Sequence, residues 1–404
     1  MIKMFRIVFI VLSITNLFGQ NISFPQNGID NPNILTTHHF GIFSSRIASN
    51  LKHQALKNTT LTLNISSGNN FHPYVEGYFP KNPEIRQQFS ETTWYNRRFN
   101  YVDEDTTPAD YMNIVIDAVI KNFSLGVNIP INKNRELNIN LRSYLITKGA
   151  YPFSPITSDE TIEWFHSQVI AKDDPFGRKH YGLNQVNFKY LDRNGKTLQL
   201  NTNDFFIGGL AFNHFYYPEL AINKSKQLFI NLGTHLGINT SKFNASTDVG
   251  ASVNAIKKFN LKNKYELNFG IHGSVLRKNI INFNSKNSDL GNNKYLATFE
   301  ANPQITKYTK KGNFNAIGIN YQIQTSYNKK EEADYYFLLG DWQAADSGWH
   351  HGISELYNSL SNWSLIYSYG TPKFQCSFYI KQDFLVNNAP DLQTGISFKK
   401  PLFY

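Results

Sequence analysis

The sequence predicts an all-β protein, an antiparallel transmembrane β-barrel of about 12–16 strands with short helices in long loops. Three observations lead to this fold class: alternating apolar and polar residues, an N-terminal segment typical of export, and short and long connections that alternate. The alternation is clearest in residues 264–275, where Leu267, Phe269 and Ile271 are separated by polar or small residues. Because successive side chains of a strand point to opposite faces, such a segment has one apolar and one polar face.

Residues 1–19 have the organisation of a secretory signal peptide. Lys3 and Arg6 precede the apolar run 7–12, and a small residue, Gly19, follows near the expected cleavage position. The run is shorter than the roughly 20 residues that a membrane-spanning helix needs. We therefore expect cleavage near Gly19 and, given the strands that follow, insertion into the outer membrane of a Gram-negative cell.

Residues 20–109 form an N-terminal segment in which Leu61, Leu63 and Ile65 predict an early strand. The rest of it, residues 67–109, is long, aromatic and irregular, and it is compatible with a plug, a periplasmic strap or a loop. Residues 110–404 carry the regular alternation and are assigned to the barrel. The clear strands there are 123–131, 137–145, 186–190, 228–238, 264–275 and 317–323, and the weaker ones are 110–120, 204–217, 247–257, 294–306, 363–370, 374–384 and 392–404.

The connections between these strands alternate in length. Short ones fall near 132–135, 192–195, 258–263, 307–312 and 370–373, and long ones at 147–184, 277–293 and 328–362. Bacterial barrels have short periplasmic turns and longer extracellular loops, so this order fits one barrel whose last strand ends on the periplasmic side. Asn194-Gly195 predicts a tight hairpin turn, because both residues accept the positive φ angles of such turns.

The last strand also suggests two partners. Leu392, Ile396, Phe398, Leu402 and Tyr404 share one face, and the chain ends on an aromatic residue. This pattern is similar to the C-terminal signal of outer-membrane barrels, so we expect recognition by the barrel assembly machinery and contact with outer-membrane lipids. Lys400 and Pro401 interrupt the pattern.

Two long loops contain helical patterns. Thr157-x-x-Glu160 is typical of a capping box, and Ile162, Phe165 and Val169 follow at helical spacing. We therefore predict a helix over 157–170 near the extracellular mouth, with this apolar stripe facing the barrel and Glu160 and Glu163 facing water. A similar stripe lies at Ile353, Leu356, Tyr357 and Leu360. Each helix is interpreted either as a lid or as simple ordering of a long loop.

The parity of the strands predicts which residues line the lumen. This set contains amides and charges of both signs: Asp117, Glu136, Asn138, Arg142, Asn231, His235, Asp248, Glu266, His272, Glu300, Asn320 and Gln322. Such residues can tune the selectivity of a pore, or they can neutralise one another in a closed interior. Both interpretations remain open.

No enzyme motif is present, and neither a cofactor nor a metal site is expected. The pairs His38-His39 and His350-His351 are neighbours whose side chains point apart on a strand. His272 and Ser274 share a polar face, where ordinary polar lining is the simpler interpretation. Cys376 is the only cysteine, so the chain has no internal disulfide, and the net charge of +10 reflects a lysine-rich composition rather than a nucleic-acid site.

One stretch resembles a known family. Residues 161–166, Arg178, 185–191 and 194–200 are similar to a segment of an uncharacterised, domain-of-unknown-function family of exported Gram-negative β-rich proteins. The resemblance implies an outer-membrane barrel without an established activity. It marks Glu163, Phe165, His166 and Arg178 as the distinctive part of the long loop, possible members of a lid.

The sequence thus favours a passive pore or a substrate-specific transporter of small solutes, whose solute it does not identify. An enzyme is less favoured. The alternatives are an outer-membrane lipid-modifying enzyme and a structural or assembly barrel without an open channel.

Overall fold

The computed structural model describes residues 27–32, 38–72, 113–170, 179, 182–192, 194–329, 359–382 and 392–402. The strands in these ranges are β1 Thr60–His72, β2 Asn113–Asn132, β3 Arg135–Thr147, β4 Asn187–Leu191, β5 Thr197–Leu200, β6 Phe205–Tyr216, β7 Leu228–Ser241, β8 Asn244–Asn260, β9 Tyr265–Asn282, β10 Tyr295–Tyr308, β11 Phe314–Gln324, β12 Leu360–Gly370, β13 Gln375–Gln382 and β14 Leu392–Pro401. The helices are α1 Asp159–Phe165 and α2 Ala221–Ser225, with 3-10 turns at His39–Ile42, Pro155–Thr157 and Lys262–Lys264 and a π-helical turn at His166–Ile170. No helix in these ranges is long and apolar enough to cross a membrane.

Twelve of these strands close a ring. Each strand pairs antiparallel with its neighbour, and β1 pairs with both β14 and β2, which closes the sheet. The remaining two strands, β4 and β5, form a hairpin that extends the sheet from the far end of β2. The predicted antiparallel barrel is therefore confirmed, and it has twelve wall strands. The barrel begins at Thr60 rather than at residue 110, because β1 is part of the wall.

The outward face of the wall is apolar and the inward face is polar. On β9, Phe269, Ile271 and Val275 are 40–50% exposed, whereas Asn268 and His272 are at most 1% exposed. The same alternation runs along β7, β11 and β12. An apolar exterior over a closed sheet without edges is the arrangement that a lipid bilayer requires.

The two ends of the barrel differ. At one end, called the turn end, the strands are joined by residues 133–134, 217–227, 261–264, 309–313 and 371–374. The other end, called the loop end, carries the β4–β5 hairpin and the longer connections, together with the two-residue link 242–243. The predicted turn at Asn194-Gly195 joins β4 to β5, and Gly195 has a φ of 73°. This sign of φ is the reason that glycine suits the position.

The described residues before Ala55 lie inside the barrel, packed against its inward face. Residues 27–32 and 38–57, called the lumen segment, form two legs, and the backbone N–H of Ile29 donates to the carbonyl of Leu51 at 2.9 Å. The sequence suggested residues 67–109 as a possible plug. The described segment that fills the lumen precedes β1. Residues 67–72 belong to β1, and residues 73–109 lie outside the described ranges, so their interpretation stays a prediction.

The connection between β3 and β4 packs against the outside of the wall. Residues 150–170, called the rim loop, contain the Pro155–Thr157 turn, α1 and the π-helical turn. Thr157 lies against Ser67 of β1, and Ser154 bonds to Thr394 of β14 at 2.5 Å. Ser67 and Thr394 share faces with Ile65 and Ile396, and those faces point away from the lumen.

Candidate functional site

The lumen is the candidate site, and nearly all of the residues that parity assigned to it lie on the inward face. The buried ones are Glu136, Arg142, Asn231, His235, Asp248, Glu266, His272, Glu300, Asn320 and Gln322, and Asn138 is half-buried. Their polar groups contact one another and the lumen segment. The interior is thus a packed polar network in the described part of the chain, in which the lumen segment takes the place of solvent.

Asp117 lies on the other face. The pairing of β1 with β2 runs without a bulge from Thr60 opposite Asn128 to His72 opposite Ile116. Odd-numbered residues of β2 therefore share one face, and Leu125 on that face is 42% exposed to the outside. The prediction for Asp117 was wrong because β2 continues past the lipid-facing wall, where protein rather than lipid covers its outward face.

Glu300 on β10 binds both legs of the lumen segment. Its Oε1 lies 3.3 Å from the guanidinium of Arg46, and its Oε2 accepts a hydrogen bond of 2.7 Å from the amide of Asn31. The amide of Asn320 on β11 donates to the same Oε2 at 3.1 Å. Glu300 is fully buried, so these donors replace the water that its charge would otherwise need.

Two further ion pairs join the lumen segment to the wall. Lys52 Nζ lies 2.5 Å from Glu136 on β3, whose second oxygen accepts the backbone N–H of Leu56 at 3.1 Å. Asp30 pairs with Lys399 on β14. In each pair one partner belongs to the lumen segment and the other to the wall. The ion pairs therefore attach the segment to the wall.

Asp248 on β8 fixes the middle of the second leg. Its Oδ2 accepts the backbone N–H of Ser45 at 2.9 Å and the Ser45 hydroxyl at 2.8 Å. Asn239 donates to the same oxygen at 2.7 Å, and the backbone N–H of Asn279 donates to Oδ1 at 2.8 Å. Four donors around one buried carboxylate stabilise its charge without a cation in direct contact.

Inward-facing glycines make room for the lumen segment. A Cβ added to Gly270 would meet only side chains of that segment, Leu51 at 2.7 Å and Ile29 at 3.0 Å. A Cβ at Gly250 would lie 2.5 Å from the Cδ1 of Ile47 and 2.6 Å from the carbonyl oxygen of Val275 on β9. At Gly270 the wall is therefore shaped to the segment, whereas at Gly250 both the segment and the neighbouring strand exclude a larger residue.

An aromatic cluster closes the loop end. Residues 38–43 form the tip of the lumen segment, and the ring centroid of Phe40 lies 4.9 Å from that of Tyr190 on β4. Phe43 stacks on Phe206 with centroids 5.6 Å apart, and His38 stacks on Tyr327 at 4.5 Å. The tip is thus held by ring contacts, while the two legs are held mainly by polar groups.

The turn of the β4–β5 hairpin at this end is built around Asp192. Its carboxylate accepts the backbone N–H groups of Asn194, Lys196 and Asp289 at 2.9, 2.8 and 2.7 Å. Burial is the largest influence on this carboxyl and raises its pKa, and the three donors oppose that shift. Asp192 thereby ties the β4–β5 turn to the β9–β10 connection.

A cavity of about 220 Å³ remains between the lumen segment and the β13–β14–β1–β2–β3–β6 side of the wall. Amides and hydroxyls dominate its lining, among them Asn64, Asn128, Asn140 and Asn213. Arg142 also lines it and is only 6% exposed. A cavity of this size and polarity can hold water or a small hydrophilic molecule.

Arg142 differs from the other lumen cations because its hydrogen bonds reach neutral groups. Its guanidinium donates to the carbonyls of Ser44 and Gly208 and to the side-chain oxygen of Asn239, the last at 2.9 Å. Asn239 in turn donates to Asp248. Asn239 thus links the guanidinium of Arg142 to the carboxylate of Asp248.

The predicted lid residues lie in the rim loop rather than over the lumen. Glu163 is buried at 2% exposure, 3.8 Å from both His166 and Lys179, and Phe165 is 46% exposed. Arg178 lies outside the described residues. The prediction that Phe165 faces the barrel and Glu163 faces water was wrong.

The start of the helix also differs from the predicted capping box. Ser158, not Thr157, caps α1 by accepting the backbone N–H of Thr161. This places Asp159, Ile162 and Glu163 on the covered side. The second helical pattern, at 353–360, lies almost wholly outside the described residues.

Lys121 on β2 holds the rim loop against the wall. Its Nζ donates to the Ser67 hydroxyl at 2.8 Å and to the carbonyls of Ala150 and Phe153 at 3.1 and 2.5 Å. A serine and a lysine at this distance can form a nucleophile and base. Here the three ammonium donors are all engaged with neutral oxygens and both side chains are fully buried, so the pair is a structural latch.

The histidines offer no metal site within the described ranges, where no group of three or more His, Cys, Asp or Glu side chains could hold an ion. His272 has both ring nitrogens within hydrogen-bond distance of neighbours, 2.7 Å from Asn254 and 3.0 Å from Ser274. It is therefore a satisfied member of the polar lining. Residues 350–351 lie outside the described ranges.

Sequence reasoning missed the lumen segment, including Asp30, Ser45, Arg46 and Lys52. The one signal available was in the wall: glycines such as Gly250 and Gly270 occupy inward positions of otherwise regular strands. Glycine inside a strand often marks the close approach of another backbone or ligand.

The comparisons with known proteins find remote similarity in fold. No family model matches the chain, and no curated protein matches its sequence. Among solved structures, an outer membrane channel from Pseudomonas putida has 8% identity and a TM-score of 0.39 over 88% of this chain and 99% of that chain. The NanC porin has 10% identity and a TM-score of 0.34 over 70% and 94%. LpxR from Salmonella typhimurium has 8% identity and a TM-score of 0.36 over 85% and 100%.

At these identities and TM-scores, the similar structures carry no argument about what this chain does. The resemblance of residues 161–200 to an uncharacterised family remains a prediction. The function of the chain is therefore inferred from the geometry of its lumen.

Proposed function

We propose that the protein is an outer-membrane channel for small hydrophilic solutes, closed in this structure by its own lumen segment. One observation carries the proposal: three ion pairs join the segment to the wall of the lumen, in addition to its apolar contacts. When such a segment leaves, water can solvate both surfaces, and the inward face then resembles the lining of a pore.

A closed structural barrel is the alternative, and the wall argues against it. A barrel that never opens can fill its interior with apolar side chains, which avoids the cost of burying charges. This wall instead buries Glu136, Asp248 and Glu300, each of which contacts the lumen segment. A wall whose charged groups pair with the lumen segment supports a lumen that is hydrated in another state.

Arg142 would place a fixed positive charge in the emptied lumen, which would also hold the carboxylates of Glu136 and Glu300, whose cations leave with the lumen segment. It lines the cavity, and the carboxylate nearest to it in the hydrogen-bond network is reached only through Asn239. In a water-filled lumen of low-dielectric walls, a fixed positive charge attracts anions and repels cations.

The test uses two glycines of β9 that differ only in the face they occupy. Gly270→Leu fills the space of Leu51 and Ile29 and should displace the lumen segment, which raises the conductance of the purified protein in planar bilayers. Gly273→Leu is the matched control, because a Cβ there meets nothing within 4 Å on the outward face. Folding of both variants is checked by heat-modifiable migration in gels.

Equal conductance of folded Gly270→Leu and Gly273→Leu, together with no conductance after deletion of 27–57, would contradict the channel. The deletion matters because it opens the lumen whatever position the displaced segment takes. A barrel that stays closed without this segment is a structural barrel.

A further inference from the structure

The rim loop has a polar underside and an apolar outer surface. Its underside bonds to the wall through Thr157 and Asp159, whose Oδ1 accepts the amide of Asn69 at 2.8 Å. Its outer surface carries large apolar side chains that are 46–69% exposed: Tyr151, Ile156, Trp164, Phe165 and Val169. Soluble surfaces seldom gather so many large apolar residues within 20 positions.

We propose that the rim loop is a membrane-interface anchor, which lies on the outside of the barrel with its apolar surface embedded in the lipid leaflet at the loop end. The partner is a lipid surface, recognised through apolar and aromatic contact. The inference does not rest on the proposed channel, because it concerns the outward face alone.

The position at which the rim loop is attached to the wall supports a lipid partner. The loop is fixed to Lys121, which lies on the same face of β2 as Leu125, four residues further along. Four residues of strand span about 13 Å, and the usual tilt reduces this to about 10 Å along the membrane normal. The rim loop therefore sits at the edge of the lipid-facing wall and continues its apolar surface, which is where headgroups meet acyl chains.

The chemistry of the exposed residues fits this depth. Trp164 is 60% exposed and Tyr151 is 69% exposed, and these two residue types are enriched where bilayers meet water. Two of the three acidic residues of α1, Asp159 and Glu163, are covered by protein. Glu160 is exposed one helical turn before Trp164 and bonds to Asn184, so it would lie among the headgroups while the apolar side chains enter the leaflet.

A lid over the lumen would need the opposite arrangement. Its apolar stripe would face the barrel mouth, yet only Ile162 of the predicted stripe is buried, at 8% exposure. Phe165 and Val169 point away from the protein, at 46% and 57% exposure. An apolar side turned away from the barrel, on a segment already outside the wall, has lipid as its neighbour.

The experiment measures contact with lipid directly. In a Cys376→Ala background, Trp164→Cys is labelled with an environment-sensitive fluorophore, and the protein is reconstituted into phosphatidylcholine vesicles with and without brominated acyl chains. We expect quenching by the brominated lipid similar to that at Val253→Cys, which lies 54% exposed on the outward face of β8. Lys286→Cys, exposed in the β9–β10 connection, is the water-facing control and should be quenched by iodide instead.

Labels at Trp164→Cys that respond to iodide and not to brominated lipid, as at Lys286→Cys, would overturn the proposal. If Trp164→Cys fails to show heat-modifiable folding, Phe165→Cys provides the same measurement one residue away. The conductance of the channel does not enter this result, so its failure and the failure of the proposed function are distinguishable.

Discussion

Glu300 holds both legs of the lumen segment, and Glu300→Gln removes its charge while nearly preserving its shape. Arg46 would then keep its charge without its carboxylate partner, 3.3 Å away in the present structure. The amide of Asn31 would lose a charged acceptor at 2.7 Å and face a side-chain amide. We therefore expect the seated position of the lumen segment to become less favourable relative to a displaced one.

The exposed fractions set the size of this effect. The side chain of Glu300 is 0% exposed and that of Arg46 is 14% exposed, so the two form a buried ion pair. Removing one partner of a buried pair costs about 3–5 kcal/mol. We take about 3 kcal/mol, because water reaches part of Arg46. Since about 1.4 kcal/mol corresponds to a tenfold change in an equilibrium constant, the ratio of open to closed channels should rise about 100-fold.

The assay is single-channel recording in planar bilayers, with open probability as the readout. Glu266→Gln is the matched control: it is another buried wall carboxylate, but its cation, Lys258 at 2.6 Å, also belongs to the wall. The double variant Arg46→Gln with Glu300→Gln should close again in part, because neither charge is then left without a partner.

The reasoning would be refuted by folded Glu300→Gln protein whose open probability equals that of Glu266→Gln. The same holds if the double variant opens as much as the two single variants combined, since that result would mean that the two side chains act independently.

Three further predictions concern selectivity and stability. In protein lacking 27–57, Arg142→Gln should shift the reversal potential in a salt gradient toward cation preference, because it removes a buried positive charge at the cavity. Gly209→Ala should lower the temperature of heat-modifiable unfolding, because φ is 140° and a Cβ would lie 2.0 Å from the carbonyl of Ile238, whereas Gly273→Ala should not. Lys121→Met should make the rim loop sensitive to limited proteolysis in detergent, since its latch to two backbone carbonyls is lost, with the barrel core resistant as the internal control.

The wall strands could be predicted from sequence because lipid and lumen impose opposite requirements on the two faces. Leu232 and Leu236 on β7 are 45% and 40% exposed to the outside, while Asn231 and His235 are buried. This two-residue repeat is set by the strand geometry itself and needs no knowledge of distant contacts.

The lumen segment could not be predicted, because the wall contacts it on all sides. Its apolar and polar residues therefore follow no regular spacing. Ser45 bonds to Asp248, whereas Ile47 and Leu51 fill spaces left by Gly250 and Gly270. Each residue is therefore matched to a partner about 200 positions away. Such a match is visible only after the barrel has closed, which is why no structure was predicted for residues 27–57.

The connection between the lumen segment and β1 is short, and this determines what happens to a displaced segment. Leu56 still contacts the wall through Glu136, and Thr60 already begins β1. A plug on so short a tether cannot diffuse away, and its local concentration near the lumen stays in the millimolar range or above. In the proposed channel, opening would therefore be an intramolecular, reversible event: the barrel would recapture its own plug without a second molecule, and each channel would close independently of how many others share the membrane.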